Sequence, residues 1–490
     1  MYSYKYLIFC KRFITLFSHQ MLSEEDKTHI VNWKYNVIDK SLTTKIFYPL
    51  WKSAVELVPS YVAPNILSLS GLICILYAAY IHYFHFETYP RIVRICCVIL
   101  IQLYQILDAI DGMHARKTDN ASPLGELFDH ACDNVGVVFL TYIVGKSIGI
   151  ENVHTLYYLI QGSQICFLYS HIYAFINRVV YFPMLAGPGE FIMLAQLAIL
   201  FEFSTNLTTV IEASIPIIYV IVLLVILYQI WFKIEHKRRV NQNKTIEYFG
   251  TKLGLSFCLA TRCVSTLMVY LGVFRDIDVW DCICHGLILS VVCSDMIVAK
   301  MAQRNLHPWV VVACMLAMFH QNGIILFVVI CYYSVMFQSL SNALGIRIFS
   351  PNCNVYVCGV YDLTHEAHMI SFTNALKYGD RLVVGVHTDE AVYSYKKRYP
   401  NLGMEQRMRT VQQCKGVWKV IGEAPLKTTR KFMVDNRIDI VVVSEEYKNE
   451  LDVWFDEDVI PFIKFTPRTE GTSTSDIVKA VRENNSDKRI

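Results

Sequence analysis

The chain has 490 residues, 54% of them hydrophobic and only 18% charged, with a mean hydropathy of +0.35. A soluble protein of this length carries nearer 25% charge, and apolar blocks long enough to cross a bilayer recur here, so a wholly soluble protein is excluded. The net charge of +3 gives no reason to expect nucleic acid as a partner, and the 16 cysteines, mostly inside apolar runs without a CxxC pair, suggest neither zinc nor an oxidising compartment.

Residues 1–30 read as an N-terminal extension whose first 20 residues are amphipathic and basic, with no clear cleavage site after them. From Tyr35 through FYPLWKSAVELVPSYVAPN, aromatic residues among polar ones predict a helix lying in the headgroup region. Membrane-spanning segments are then expected at 66–86, 92–110, 132–150, 153–174, 188–205, 211–233, 253–274, 279–300, 307–320 and 322–345, about ten in all. With a cytosolic N-terminus, the basic loops 114–117, 233–244 and 299–305 all fall on the cytosolic side, and an even span count returns the C-terminus there. Arg91 and Arg94 run against this pattern, and their long stems allow snorkelling.

Four acids interrupt the second and third apolar runs: DAIDGMHARKTDNASPLGELFDHACD, with Asp108, Asp111, Asp129 and Asp133. Intervals of three or four put them on the facing sides of two helices, one ending near Asp111 and one beginning near Gly125. Unpaired carboxylates at bilayer depth are costly, and divalent cations, whose usual ligands are carboxylate oxygens, are the simplest counter-charge.

After residue 349 the pattern changes. Apolar β-branched runs (NVYVCGVYD, DRLVVGVHTD, IDIVVVSEE) alternate with amphipathic helical segments, which predicts a soluble α/β domain with a parallel sheet at 349–490.

The string D-x2-D-G-x2-A-R-x8-G-x3-D-x3-D, with PSYVAPNILSLSGL upstream, resembles the signature of CDP-alcohol phosphotransferases, specifically the eukaryotic choline/ethanolamine branch, over residues 31–348. The resemblance implies a polytopic helical membrane domain in the endoplasmic reticulum that takes CDP-ethanolamine or CDP-choline and diacylglycerol from the lipid bilayer, and it makes a membrane homodimer plausible. Asp108, Asp111, Asp129 and Asp133 are the expected ligands of Mg2+ or Mn2+, Gly112 and Gly125 leave room for the nucleotide beside Ala115, and Arg116 can pair with phosphate. The implied base is His130, with Glu126 one turn away on its face; elsewhere in the wider family the last aspartate, here Asp133, takes that role.

In the second domain, Gly359-Val360-Tyr361 leads to His365 and His368, and Arg468-Thr469-Glu470-Gly471-Thr472-Ser473-Thr474 precedes a last helical segment. The pair resembles the HxGH and RTEGxST motifs of cytidylyltransferases, which implies a Rossmann-like α/β nucleotidyltransferase domain. His365 and His368 would stabilise the reacting phosphorus of CTP, Gly359, Tyr361, Arg468, Thr469, Ser473 and Thr474 would hold the nucleotide, and Lys396 or Lys397 would meet phosphoethanolamine or phosphocholine. Two departures stand out: Ala367 replaces the glycine of HxGH, and Glu445-Glu446 replace paired aspartates.

Together the halves describe consecutive reactions of phospholipid synthesis. Two other enzyme readings keep the architecture, with either a degenerate second domain or a glycerol-type CDP-alcohol. A transporter or scaffold would account for the spans but not for both motifs.

Overall fold

The computed structural model describes residues 21–467, apart from 186, 202, 235–236, 242–243, 248, 272 and 274–276. It divides into two compact units after Pro351.

The first unit opens with α1 (Glu24–Val31), whose N-cap Ser23 forms a reciprocal capping box with Asp26. Strand β1 (Val37–Asp39) pairs in parallel with β2 (Val180–Phe182). The segment expected to form one interfacial helix is therefore part strand, followed by helix α2 (Leu42–Glu56), which exposes Ile46, Tyr48 and Leu50. Next come α3 (Pro64–His85), α4 (Pro90–Lys117), α5 (Pro123–Ser147) and α6 (Val153–Asn177). Three of these begin with proline, which lacks an N–H that the first turn would leave unpaired. Helices α7 (Pro188–Leu200), α8 (Thr205–Tyr228), α9 (Phe249–Tyr270), α10 (Val279–Ala302), α11 (Pro308–Ala317) and α12 (Asn322–Leu344) follow, with a short antiparallel pair, β3 (Lys237–Asn241) and β4 (Lys244–Glu247), between α8 and α9.

A helix stands at each of the ten expected positions, but the count of ten spans is not upheld. Among the described residues six helices are long and apolar enough to cross a membrane: α3, α4, α5, α8 with its extension to Lys233, α10 and α12. Helices α7 and α11 have 13 and 10 residues, so they rise only about 20 and 15 Å against a hydrocarbon core of about 30 Å. Helix α6 has the length but carries Gln161, Gln164 and His171, and α9 carries Lys252 and Arg262. At the centre stands α10, buried from Asp281 to Ala302 and packed against α5 and α6.

The second unit is a five-stranded, all-parallel sheet in the order β7-β6-β5-β8-β9, formed by β5 (Asn354–Gly359), β6 (Arg381–Val386), β7 (Val417–Ile421), β8 (Ile440–Ser444) and β9 (Ile463–Thr466). Helices α13 (Glu366–Ala375), α14 (Asp389–Lys396), α15 (Met404–Gln412), α16 (Arg430–Asp435) and α17 (Leu451–Trp454) lie between the strands. Both faces are covered: Val355, Val357, Leu382 and Val384 pack with Phe372 and Val411, whereas Tyr356, Val383 and Val441 pack with Met433, Phe455 and Val459. This two-sided burial is why the strands read as unbroken apolar runs. Strand order reverses beside β5, so a crevice opens where β5 and β8 end, the usual ligand position in such sheets.

Gly385 lies where a Cβ would come within 2.7 Å of the ring of buried Tyr356 on the neighbouring strand. Replacing Gly385 by Ala is expected to destabilise the second unit by about 1–3 kcal/mol through overpacking. A lower urea midpoint, partly recovered by adding Tyr356→Phe, checks this.

Candidate active sites

Helix α4 does not end at Asp111 but runs on to Lys117, and α5 starts at Pro123, two residues before Gly125. Ser122 caps α5 by accepting from the Gly125 N–H at 3.1 Å. Asp108 and Asp111 therefore lie within α4, Asp129 and Asp133 within α5, and the HARK segment is the last helical turn of α4. One oxygen each from Asp108, Asp111 and Asp129 lie within 4.8 Å of one another, and ligand atoms of Asp129, His130 and Asp133 form a second such group.

Neighbouring elements hold the carboxylates. Ser68 of α3 donates to Asp111, and Tyr104 donates to Asp133 Oδ1 at 2.6 Å. Tyr104 is itself seated against Gly71, where a Cβ would lie 3.2 Å from its ring. Asp129 Oδ1 is buried without a hydrogen-bond partner. Converging hard oxygens, one of them unpaired, fit a divalent cation of the Mg2+ or Mn2+ type.

The expected pairing of Glu126 with His130 is not found. Glu126 accepts instead from Lys300 of α10 at 2.8 Å and from the Trp33 indole at 2.7 Å. A full cation inside the bundle outcompetes an imidazole for a buried carboxylate. His130 Nδ1 lies 3.9 Å from both Asp129 Oδ2 and Asp133 Oδ2, and its Nε2 is buried without a partner. The rings of Tyr35 and His171 stand 6.3 and 5.6 Å away.

Arg116 and Ala115 sit on the last turn of α4, with Arg116 exposed. A Cβ at Gly112 would lie 3.4 Å from the Arg116 guanidinium, and one at Gly125 3.5 Å from Ser122 Oγ. Both are ordinary contacts, so the protein's own packing does not require glycine at either place.

Sequence reasoning missed Tyr104, Ser68, Lys300 and Trp33. Tyr104 stands one turn before Asp108 on the same face, and Lys300 is a charge inside an apolar run. Both were readable signals.

In the second unit, His365 is the N-cap of α13 and His368 its third residue. The His365 N–H donates to His368 Nδ1 at 3.4 Å, which leaves the proton of a neutral His368 on Nε2, and the two rings lie 4.0 Å apart. Tyr361 does not face the crevice: it is buried against His368 and Phe372, and Gly359 gives it room, since a Cβ there would meet its ring at 3.1 Å. Lys396 is held below the ordinary lysine range by partial burial and by Arg398, with Asp362 opposing. Lys397 caps α14 in the left-handed region and donates to the Ser394 carbonyl at 2.8 Å, so Lys396 is the freer of the two. Arg468, Thr469, Ser473 and Thr474 lie outside the described residues.

The residue that organises this rim is Arg407, fully buried on α15. It donates to the carbonyls of Val360, His387 and Leu402 and to Asp389, tying together the loops that follow β5 and β6. An arginine on the inward face of an amphipathic helix was its only sequence signal.

Burial, His365 and Lys396 push His368 down to about 4, and burial also lowers His387. An unfolded histidine titrates near 6.5, so between pH 6.5 and about 4 the unfolded chain takes up protons that the native one refuses. Stability of the second unit should therefore fall on acidification through that window. His368→Gln should shrink the fall, as read from urea midpoints against pH.

A hydrophobic helical bundle with an acidic cluster, followed by an α/β unit with histidines at a helix N-terminus, defines a membrane-embedded transferase joined to a nucleotidyltransferase. Residues 61–232 match the family CDP-alcohol phosphatidyltransferase, and residues 356–480 match the family Cytidylyltransferase-like. The chain thus carries one domain of each family.

Over 130 residues it is 35% identical to Ethanolamine-phosphate cytidylyltransferase of Dictyostelium discoideum, covering 25% of this chain and 35% of that protein. Ethanolaminephosphotransferase 1 of Homo sapiens is 28% identical over 180 residues, 34% of this chain and 45% of that protein. Choline/ethanolaminephosphotransferase 1 of Saccharomyces cerevisiae is 28% identical over 182 residues, 35% of this chain and 46% of that protein. The chain spans less than half the length of each of these relatives.

Proposed function

We propose that this chain catalyses two consecutive steps of phospholipid synthesis. The second unit joins CTP to phosphoethanolamine or phosphocholine, releasing pyrophosphate. The first transfers the phospho-alcohol from the CDP-alcohol to diacylglycerol, releasing CMP. The observation that carries the reading is that one chain holds both a four-carboxylate cluster in a helical bundle and a histidine pair at the switch point of a parallel sheet. Ethanolamine is the favoured head group, because relatives of both units are named for it. Location in the endoplasmic reticulum membrane with both sites on the cytosolic face belongs to the same proposal; the basic stretches 114–117 and 233–244 fall on one side whether ten or six helices span.

In the first unit a divalent cation held by Asp108, Asp111, Asp129 and Asp133 would supply the positive charge that neutralises the donor's pyrophosphate. Arg116 at the mouth offers a planar fork to a phosphate. His130, with Nδ1 turned to two carboxylates, presents Nε2 to accept the proton of the acceptor hydroxyl. Tyr104 keeps Asp133 in place. In the second unit, the Nε2–H of His368 and the N-terminus of α13 stabilise charge on the transferring phosphoryl group, and Lys396 meets the phosphate of the incoming phospho-alcohol.

A second reading, an active first unit with a second unit kept for binding, is favoured by one observation: Ala367 puts a methyl between the two histidines.

Purified chain given CTP, Mg2+, phosphoethanolamine and diacylglycerol should form both pyrophosphate and lipid. His130→Ala should lower lipid formation by about 10²- to 10⁴-fold and leave pyrophosphate release intact. His368→Ala should lower both pyrophosphate release and lipid formation, with lipid formation alone restored by added CDP-ethanolamine. Lipid formed by the unaltered chain only when the CDP-alcohol is supplied would favour the second reading.

A further inference from the structure

We propose that His171 is a positioning residue for the lipid acceptor: with His130 it forms a slot that holds the attacking hydroxyl. This rests on the phosphotransferase reading above. His171 lies on α6, in neither sequence motif, and its Nε2 is buried without a hydrogen-bond partner. Each of the two histidines is only 8% exposed, and their ring centres are 5.6 Å apart at 60°. Two unpaired imidazole nitrogens buried in an apolar bundle are costly, and nothing among the described residues satisfies them. A single hydroxyl, which donates one hydrogen bond and accepts another, can satisfy both nitrogens of rings that stand this close.

The carboxylates assign the two roles. Asp129 and Asp133 face His130 Nδ1, which therefore carries that ring's proton and leaves Nε2 as the acceptor. The hydroxyl donates to His130 Nε2 and accepts from the Nε2–H of His171. His171 thus fixes the direction of the remaining lone pair. In the transfer, a bond forms from that oxygen to phosphorus as the bond from phosphorus to the CMP oxygen breaks. The hydroxyl proton passes to His130, and the electron pair of the broken bond leaves with CMP. Phe167 packs on the outer side of His171, with ring centres 4.9 Å apart, and holds the imidazole against rotation. The slot offers one acceptor and one donor, which matches the single hydroxyl of a neutral alcohol.

The test is steady-state kinetics of the full chain in lipid nanodiscs, with diacylglycerol and CDP-ethanolamine varied in turn and thermal midpoints recorded. His171→Leu should lower kcat/KM for diacylglycerol by about 10- to 100-fold and leave the KM for CDP-ethanolamine within about twofold. His171→Gln, which keeps an N–H donor, should recover most of the loss. A diacyl analogue with hydrogen in place of the free hydroxyl should inhibit the Leu variant better, relative to diacylglycerol binding, than it inhibits the unaltered chain. Unchanged kinetics in His171→Leu, a matching rise in donor KM, or a Gln variant no better than Leu would each overturn the slot. If the unaltered chain makes no lipid from CDP-ethanolamine or CDP-choline, the phosphotransferase reading fails and the slot with it.

Discussion

Four carboxylates packed between two helices of an apolar bundle set the terms for the rest of the first unit. Each would be costly alone at that depth, and their mutual repulsion adds to the cost. The bundle answers with neutral donors, Ser68 from α3 and Tyr104 from α4, and leaves one oxygen of Asp129 unpaired. Among the described residues no lysine or arginine pairs with them: Lys300 is committed to Glu126, and Arg304 to Asp295 at 2.7 Å. The acidic charge is thus left for something from outside the chain to balance, which is what a metal site needs and what a merely structural ion-pair network would have avoided.

The Glu126–Lys300–Trp33 cluster has a different role. It joins the start of α5, the end of α10 and the segment that precedes β1, and the ammonium of Lys300 also lies 5.2 Å from the Trp33 ring centre. By taking Glu126 away from His130 it leaves the imidazole's surroundings to Asp129, Asp133, Tyr35 and His171. A residue that looks like the base's helper in one dimension becomes a fastening point in three.

The two units gather polar groups of opposite kinds. The first gathers carboxylates that could hold a divalent cation. The second sets His365 and His368 at a helix N-terminus, both held below the ordinary histidine range by burial, and holds Lys396 below the ordinary lysine range. Arg407, buried among carbonyls and Asp389, holds the rim loops in register.

The sequence by itself determined the two solvents of the chain, the position of every long helix, the parallel sheet and the acids that face each other, because hydropathy, period and spacing are local properties. It determined less about how much of each helix crosses a membrane: helical period says nothing about length relative to a bilayer, and α7 and α11 are too short. Contacts between distant segments were decided only by the tertiary structure. Lys300 meets Glu126 across 174 positions and Trp33 meets it across 93, while His171 approaches His130 from a separate helix. Such partners are selected by packing geometry and by competition for buried charge, and neither leaves a periodic mark on a linear chain.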